Sequence, residues 1–160
     1  MKKNVMDYII AAKTVNIPTN NEFEKQIKEN PLYKKKNLCR FMLLEYDKSL
    51  GGEFPSDQDF TIEHVMPQSL KNWSENFNPD EHKLYLDTFA NLVLLTGKSN
   101  NLLGDKSYKD KRNRILGNAK FKSTRQLFEK NFAWQPIDIN KRATMLSDWA
   151  INRWSLSEYF

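Results

Sequence analysis

The chain has 160 residues, a formal net charge of +5 and an aromatic content of 12%, which together favour a single packed domain over a disordered chain. It lacks a run of about 18 apolar residues, which excludes a membrane-spanning helix, and its first residues lack the apolar segment of a signal peptide. Cys39 is the single cysteine, so an intramolecular disulfide and a C-x-x-C zinc site are excluded and a cytoplasmic setting is expected.

The first part of the chain is predicted to be mainly helical. After an irregular lead-in over residues 1–20, helices are expected at Asn21–Glu29 and from Leu32 to about Lys48. The second helix is expected to follow Asn30-Pro31, because asparagine favours the N-cap and proline the first helical position. The pair Gly51-Gly52 is expected to end it.

Two short strands joined by a long loop are predicted in the middle of the chain. Each is a short apolar or alternating run, and the second ends at a glycine. The expected order is a strand at Phe60–Val65, a polar loop over residues 69–82, a helical turn at Leu84–Phe89, a strand at Asn91–Thr96, and a helix from Asp105 or Lys106 to Leu116.

The C-terminal part is predicted to contain two helices, at Ser123–Asn131 and at about Ile139–Trp154. Apolar residues of the second helix recur at intervals of three and four, which indicates a stripe that packs against a core. We therefore expect one α+β, mainly α, domain. Its expected parts are the lead-in 1–20, helices in 21–50, a central core in 60–116 and helices in 123–155 of the full range 1–160.

The segment Phe60–Gln68, with the sequence F-T-I-E-H-V-M-P-Q, carries the residue types that phosphodiester hydrolysis needs. Its His64 is one of two histidines in the chain, and a neutral imidazole near pH 7 suits a general base. A hard divalent ion such as Mg²⁺ takes oxygen ligands, which Glu63 and Asn100 offer. Asn91 lies where the second strand begins, so its amide is expected to hold the histidine segment in place.

The adjacency of Glu63 and His64 makes a geometric demand on the backbone. Neighbouring residues of a regular strand point to opposite faces. Both side chains therefore face one site only if the chain bends or bulges before Pro67, and the sequence predicts such a departure from a regular strand.

These motifs together resemble a known family. The patterns are I-E-H-x-x-P-Q at Ile62–Gln68, A-N-L-V-L-L-T-G-K-x-N at Ala90–Asn100, and Lys106-Ser107-Tyr108 followed by Lys111-Arg112. They resemble the HNH-type domain at the C-terminus of GmrSD-type, modification-dependent (type IV) restriction endonucleases, which are His-Me finger, or ββα-metal, nucleases. The resemblance covers roughly residues 35–155. It implies a ββα-metal core around residues 60–116, packed by N- and C-terminal helices.

The resemblance also implies site residues and a reaction. His64 matches the general base, Asn91 the bracing asparagine, and Glu63 and Asn100 the ligands of a divalent metal, with Mg²⁺ expected and Mn²⁺ an alternative. Asn101 is the alternative to Asn100. The zinc-binding cysteines of some HNH proteins are absent, so no structural zinc is expected. The expected activity is metal-dependent DNA endonuclease cleavage in a restriction or anti-phage defence system, with an N-terminal ParB-like, nucleotide-hydrolysing domain or subunit as partner.

The basic charge of the chain is concentrated in its C-terminal part. Residues 98–153 hold 13 Lys and Arg against 5 Asp and Glu, which suits either a polyanion or a solvated helix surface. An inactive HNH-like module that binds nucleic acid or another protein is the alternative function. The residues expected to contact phosphates are Lys98, Lys106, Lys109, Lys111 and Arg112.

Overall fold

A computed structural model describes residues 18–53, 60–96 and 104–154. Within these ranges the chain is mainly helical, with one two-stranded antiparallel sheet, so the predicted α+β, mainly α, class is confirmed. The helices are α1 (Asn20–Glu29), α2 (Lys36–Ser49), α3 (Pro79–Tyr85), α4 (Tyr108–Asn118), α5 (Lys122–Lys130) and α6 (Pro136–Trp154). The strands are β1 (Phe60–His64) and β2 (Leu92–Thr96), and 3₁₀ helices cover Leu32–Lys34 and Phe89–Asn91.

The two strands pair in a regular antiparallel ladder, called the hairpin below, that separates two apolar clusters. Residue pairs run without interruption from Phe60 opposite Thr96 to His64 opposite Leu92. Because side chains alternate along a strand, Val93 and Leu95 pack into one cluster with α4 and Trp134. Their neighbours Leu92 and Leu94 pack into the other cluster, with α1 and α2.

Helix α6 closes both clusters with the stripe that the sequence predicts. Ile139 and Ala143 are buried in the cluster on the α4 side, and Leu146 and Ala150 in the cluster on the α2 side. Burial of a large apolar side chain such as Ile139 or Leu146 stabilises the fold by about 1.5–3 kcal/mol. The helix therefore ties together the two faces of the hairpin.

Two predicted elements differ from the structure. The helix expected from Leu32 is split into a 3₁₀ turn and α2, because Asn30 ends α1 with its amide N–H bound to the Gln26 carbonyl, and so does not cap a new helix. The chain over 69–82 is not wholly loop. Asn78 and Glu81 form a reciprocal capping box that begins α3 at Pro79, as such a sequence favours.

Two further observations concern Cys39 and the membrane. Cys39 is completely buried, and burial raises the pKa of its thiol to about 12. Among the described residues, none of the helices is both long enough and apolar enough to cross a membrane.

Candidate active site

His64 is the last residue of β1, and its ring is nearly enclosed. The residue is 6% exposed. On one side the ring of Tyr33 lies with its centroid 4.3 Å from the imidazole centroid. On another, the Nε2 atom of His64 lies 3.0 Å from the Oδ1 atom of Asp87. The imidazole is therefore held by two residues that come from different segments of the chain.

The contact with Asp87 assigns the proton of the neutral His64 ring. A carboxylate oxygen only accepts hydrogen bonds, so Nε2 donates and carries the proton. The other ring nitrogen, Nδ1, then keeps its lone pair. Asp87 is itself fixed, because its carbonyl accepts a hydrogen bond from the Tyr33 amide at 3.1 Å.

Burial sets the charge of His64. It lowers the pKa of the imidazole below its ordinary value of 6.5, and the hydrogen bond and charge of Asp87 oppose this shift without cancelling it. The ring is therefore neutral at pH 7. A neutral imidazole with one free lone pair is the form in which histidine accepts a proton.

Asn91 ties the segment after His64 to the rest of the fold. Its Oδ1 atom accepts hydrogen bonds from the Met66 amide at 2.8 Å and from the Trp134 indole at 3.1 Å. Its Nδ2 atom donates to the carbonyls of Met66 and Leu86, both at 2.9 Å. The residue is completely buried, so the four hydrogen bonds of its side chain are all with protein groups. Such contacts are what the predicted bracing role requires.

Neighbouring residues extend this network. The buried guanidinium of Arg142 donates to the carbonyls of Ala90 and Leu92, at 2.6 and 2.9 Å, on either side of Asn91. His82 falls within the predicted polar loop over residues 69–82, but it lies in α3 and is half-buried. Its Nε2 donates a hydrogen bond to the Pro67 carbonyl at 2.8 Å. Both contacts restrict the chain that carries His64.

Glu63 points away from His64. The strand stays paired through both residues and bends only at Val65 and Met66, so the predicted re-aiming of one of the two side chains does not occur within β1. Glu63 faces α4, where its Oε1 atom accepts a hydrogen bond from the Lys111 ammonium at 3.2 Å. The same ammonium donates to the His64 carbonyl at 2.9 Å.

The Glu63–Lys111 pair is strongly desolvated. Lys111 is completely buried, and burial lowers the pKa of its ammonium and raises the pKa of the Glu63 carboxyl, while each partner opposes the shift of the other. Because an unpaired buried charge is costly, the pair fixes the end of β1 to α4.

The oxygen atoms around Lys111 bear on the predicted metal site. A carboxylate oxygen and a backbone carbonyl converge there on a positive charge, and both are ligand types that hard divalent ions take. In the structure the Lys111 ammonium binds both of these oxygens. The second predicted ligand, Asn100, and its alternative Asn101 lie outside the described residues. Within the part of the chain that the structure describes, no group of three or more His, Cys, Asp and Glu side chains could hold a metal.

Comparison with protein families identifies the chain. The family model described as GmrSD restriction endonucleases, C-terminal domain, matches residues 17–149. The chain belongs to this family. Searches of curated proteins and of solved structures gave no significant match. The matched range of the GmrSD C-terminal domain includes Glu63, His64 and Asn91 and thus confirms the resemblance that the sequence motifs indicate.

The residues of this GmrSD C-terminal domain that were predicted to contact phosphates have different surroundings. Lys109 is exposed and Lys106 is half-buried, whereas Lys98 lies outside the described residues. Arg112 is half-buried and its Nε donates to the Phe128 carbonyl at 2.8 Å. Lys111 has no exposed surface, so its predicted phosphate contact is wrong for this arrangement of the chain.

Sequence reasoning missed two residues that contact His64. Asp87 and Tyr33 carry no local motif, because each reaches the imidazole only through the tertiary fold. The burial of Lys111 did have a signal. Lys111 follows Tyr108 by three residues and precedes Ile115 by four, which places it on the apolar face of α4.

Proposed function

We propose that this chain is a nuclease domain that hydrolyses phosphodiester bonds of DNA, with His64 as the general base. The supporting observation is the state of His64 in a chain of the GmrSD restriction endonuclease family. Its imidazole is neutral, oriented by Asp87 and carried on a segment braced by Asn91. The order β1, β2, α4 supports a ββα-metal, HNH-type core over residues 60–116.

In the proposed reaction, His64 accepts a proton from the attacking water as the water oxygen forms a bond to phosphorus. The bond between phosphorus and the leaving oxygen breaks, and that oxygen takes up a proton from solvent. Asp87 stabilises the imidazolium that forms on His64, because a carboxylate favours the charged ring. Asn91 keeps the segment after β1 from moving while the proton is transferred.

Glu63 would hold a divalent ion, with Asn100 as second ligand. Mg²⁺ is the ion proposed, with Mn²⁺ as the alternative, and when bound it supplies positive charge to the phosphate and the leaving oxygen. In the structure Glu63 is bound by Lys111 and lies on the opposite face of β1 from the His64 ring. Glu63 would hold the ion beside the phosphate at His64 only if its carboxylate left Lys111 and turned to the His64 side. In the setting proposed, the domain cuts modified or invading DNA in the cytoplasm, together with an N-terminal ParB-like, nucleotide-hydrolysing domain or subunit.

Replacement of His64 by alanine tests the proposed function. General-base catalysis contributes about 10²- to 10⁴-fold, so His64→Ala is expected to cut DNA at least about 100-fold more slowly than the wild type. The measurement is conversion of supercoiled plasmid to nicked and linear forms, with Mg²⁺, with Mn²⁺ and with chelator. The affinity for a labelled duplex and the melting temperature are the controls, and both are expected to stay near the wild-type values.

Two outcomes would contradict the proposal. The first is cleavage by His64→Ala at the wild-type rate. The second is a wild-type chain that binds DNA but leaves plasmid and RNA intact with every metal tested, which is the behaviour of an inactive binding module.

Asp87→Ala tests whether Asp87 positions His64. Loss of the carboxylate is expected to slow cleavage about 10- to 100-fold, by analogy with residues that orient a metal-bound histidine, while DNA affinity stays unchanged. Because the carboxylate favours the charged ring, the pKa of His64, already below 6.5, is expected to fall further. The pKa of His64 is measured as the midpoint of the titration of its ring signals, followed by NMR against pH.

The matched control is Asp148→Ala, which removes an exposed carboxylate on α6. It is expected to leave both the cleavage rate and the His64 midpoint unchanged. Wild-type cleavage and an unchanged midpoint in Asp87→Ala would show that Asp87 does not position the imidazole.

A further inference from the structure

The imidazole of His64 and the basic helix α4 lie on opposite faces of the hairpin. Glu63, on the α4 side, pairs with Lys111. His64 contacts Tyr33 on the other side, where α1, α2 and the first 3₁₀ helix pack. A phosphate that reaches the His64 ring therefore approaches from the Tyr33 side of the hairpin. Cations that bind the adjacent phosphates of the same strand should lie on that side.

Three consecutive lysines stand at that place. Lys34, Lys35 and Lys36 directly follow Tyr33, and all three are exposed. The Lys36 ammonium lies 5.3 Å from the centroid of the Tyr33 ring, whose centroid is in turn 4.3 Å from that of His64. The run is therefore adjacent to the candidate base in space, although it is distant in sequence.

The position of the run at the start of α2 does not help the fold. Lys35 is the N-cap residue and makes no side-chain capping bond, and the first turn of α2 has no acidic residue. The N-terminus of a helix carries a partial positive charge, so cations there are unfavourable and anions favourable. The three lysines and the helix end add to one positive potential that suits a bound anion.

An open cavity of about 650 Å³ extends from Lys34 of the run to Asp87. It is lined by Lys34, His82, Lys83 and Asp87, together with the acidic Glu29 and Asp80, and Asp87 binds the His64 ring. Within the described ranges, the ammonium groups of Lys34, Lys35, Lys36 and Lys83 form no ion pair.

We propose that the Lys34–Lys36 run, with Lys83 across the cavity, binds the phosphates that flank the cleaved bond. The ligand is a nucleic-acid strand, read through its backbone and not its bases. This inference rests on the proposed function, since it assigns the side of the hairpin from which the strand reaches His64. It moves the main phosphate contacts away from α4, where the sequence placed them.

The test compares two triple variants that lose the same charge. The first replaces all three lysines of the run by glutamine, and the second replaces three exposed lysines elsewhere. Affinity for a fluorescein-labelled duplex is measured between about 50 and 200 mM salt, where each lost phosphate contact lowers the salt slope by about 0.9. The control lysines are Lys120, Lys130 and Lys141.

The run variant is expected to bind more weakly at every salt concentration, with a slope reduced by about 1 to 3, and to cut plasmid more slowly in proportion. The control variant should keep nearly the wild-type slope. If both triple variants lose affinity equally, the proposed surface is wrong even though cleavage by His64 stands. If the run variant alone loses affinity while the wild type never cuts, the surface stands and the nuclease proposal fails.

Discussion

Asn91→Ala is expected to lower the free energy of unfolding by about 3 kcal/mol or more. The substitution leaves two donors and two carbonyls without their side-chain partner, and each such buried group costs about 1–3 kcal/mol. The donors are the Met66 amide and the Trp134 indole, and the acceptors are the carbonyls of Met66 and Leu86. Cleavage should fall as well, because the chain that carries His64 loses its support.

Urea unfolding followed by circular dichroism measures this change. Asn118→Ala, at the exposed end of α4, is the matched control and should stay within about 0.5 kcal/mol of the wild type. Asn91→Asp separates the two halves of the network. It keeps the acceptor for Met66 and Trp134 but turns an oxygen toward two carbonyls, so it should also destabilise the fold. A stability of Asn91→Asp near the wild-type value would show that the donor half contributes little.

Lys111→Met is expected to destabilise the chain by about 3–5 kcal/mol, the cost of leaving one member of a buried ion pair without its partner. Lys111 is completely buried, and its ammonium binds both the Glu63 carboxylate and the His64 carbonyl. Its removal leaves Glu63 desolvated and the end of β1 unattached to α4. The midpoint and slope of urea unfolding give the free-energy change.

Two further variants define the origin of this effect. Lys109→Met removes an exposed lysine from the same helix and should change stability by less than about 0.5 kcal/mol. Glu63→Gln/Lys111→Met removes both charges, and it should recover part of the loss because no charge remains buried without a partner. If Lys111→Met is as stable as Lys109→Met, the buried pair does not hold the hairpin to α4.

The sequence predicted the elements that local patterns determine. The alternation in β1, the glycine at Gly51, which has a positive φ of 77°, and the apolar stripe of α6 are all read over a few neighbouring residues. The helix α3 also has a local signal in Asn78-Pro79 and Glu81, but the polar composition of the surrounding segment predicts a loop.

The site was only partly predictable for a physical reason. His64 and Asn91 are marked by their residue types and by the spacing of family motifs. Their contacts with Asp87, Tyr33 and Arg142 depend on how distant elements pack, and a single sequence does not state this. The expected departure from a regular strand before Pro67 occurs at Val65 and Met66. It does not re-aim Glu63 or His64, because the pairing of β1 with β2 continues through His64 and a paired strand keeps its side chains alternating.

The most direct test of His64 as general base is rescue of His64→Ala by imidazole. The substitution opens a space between Tyr33 and Asp87, where free imidazole can take the place of the lost side chain. We expect His64→Ala to cut plasmid far more slowly than the wild type and to regain part of the rate as imidazole is added, while Asn91→Ala gains nothing. A His64→Ala variant that cuts at the wild-type rate without imidazole would contradict the central claim.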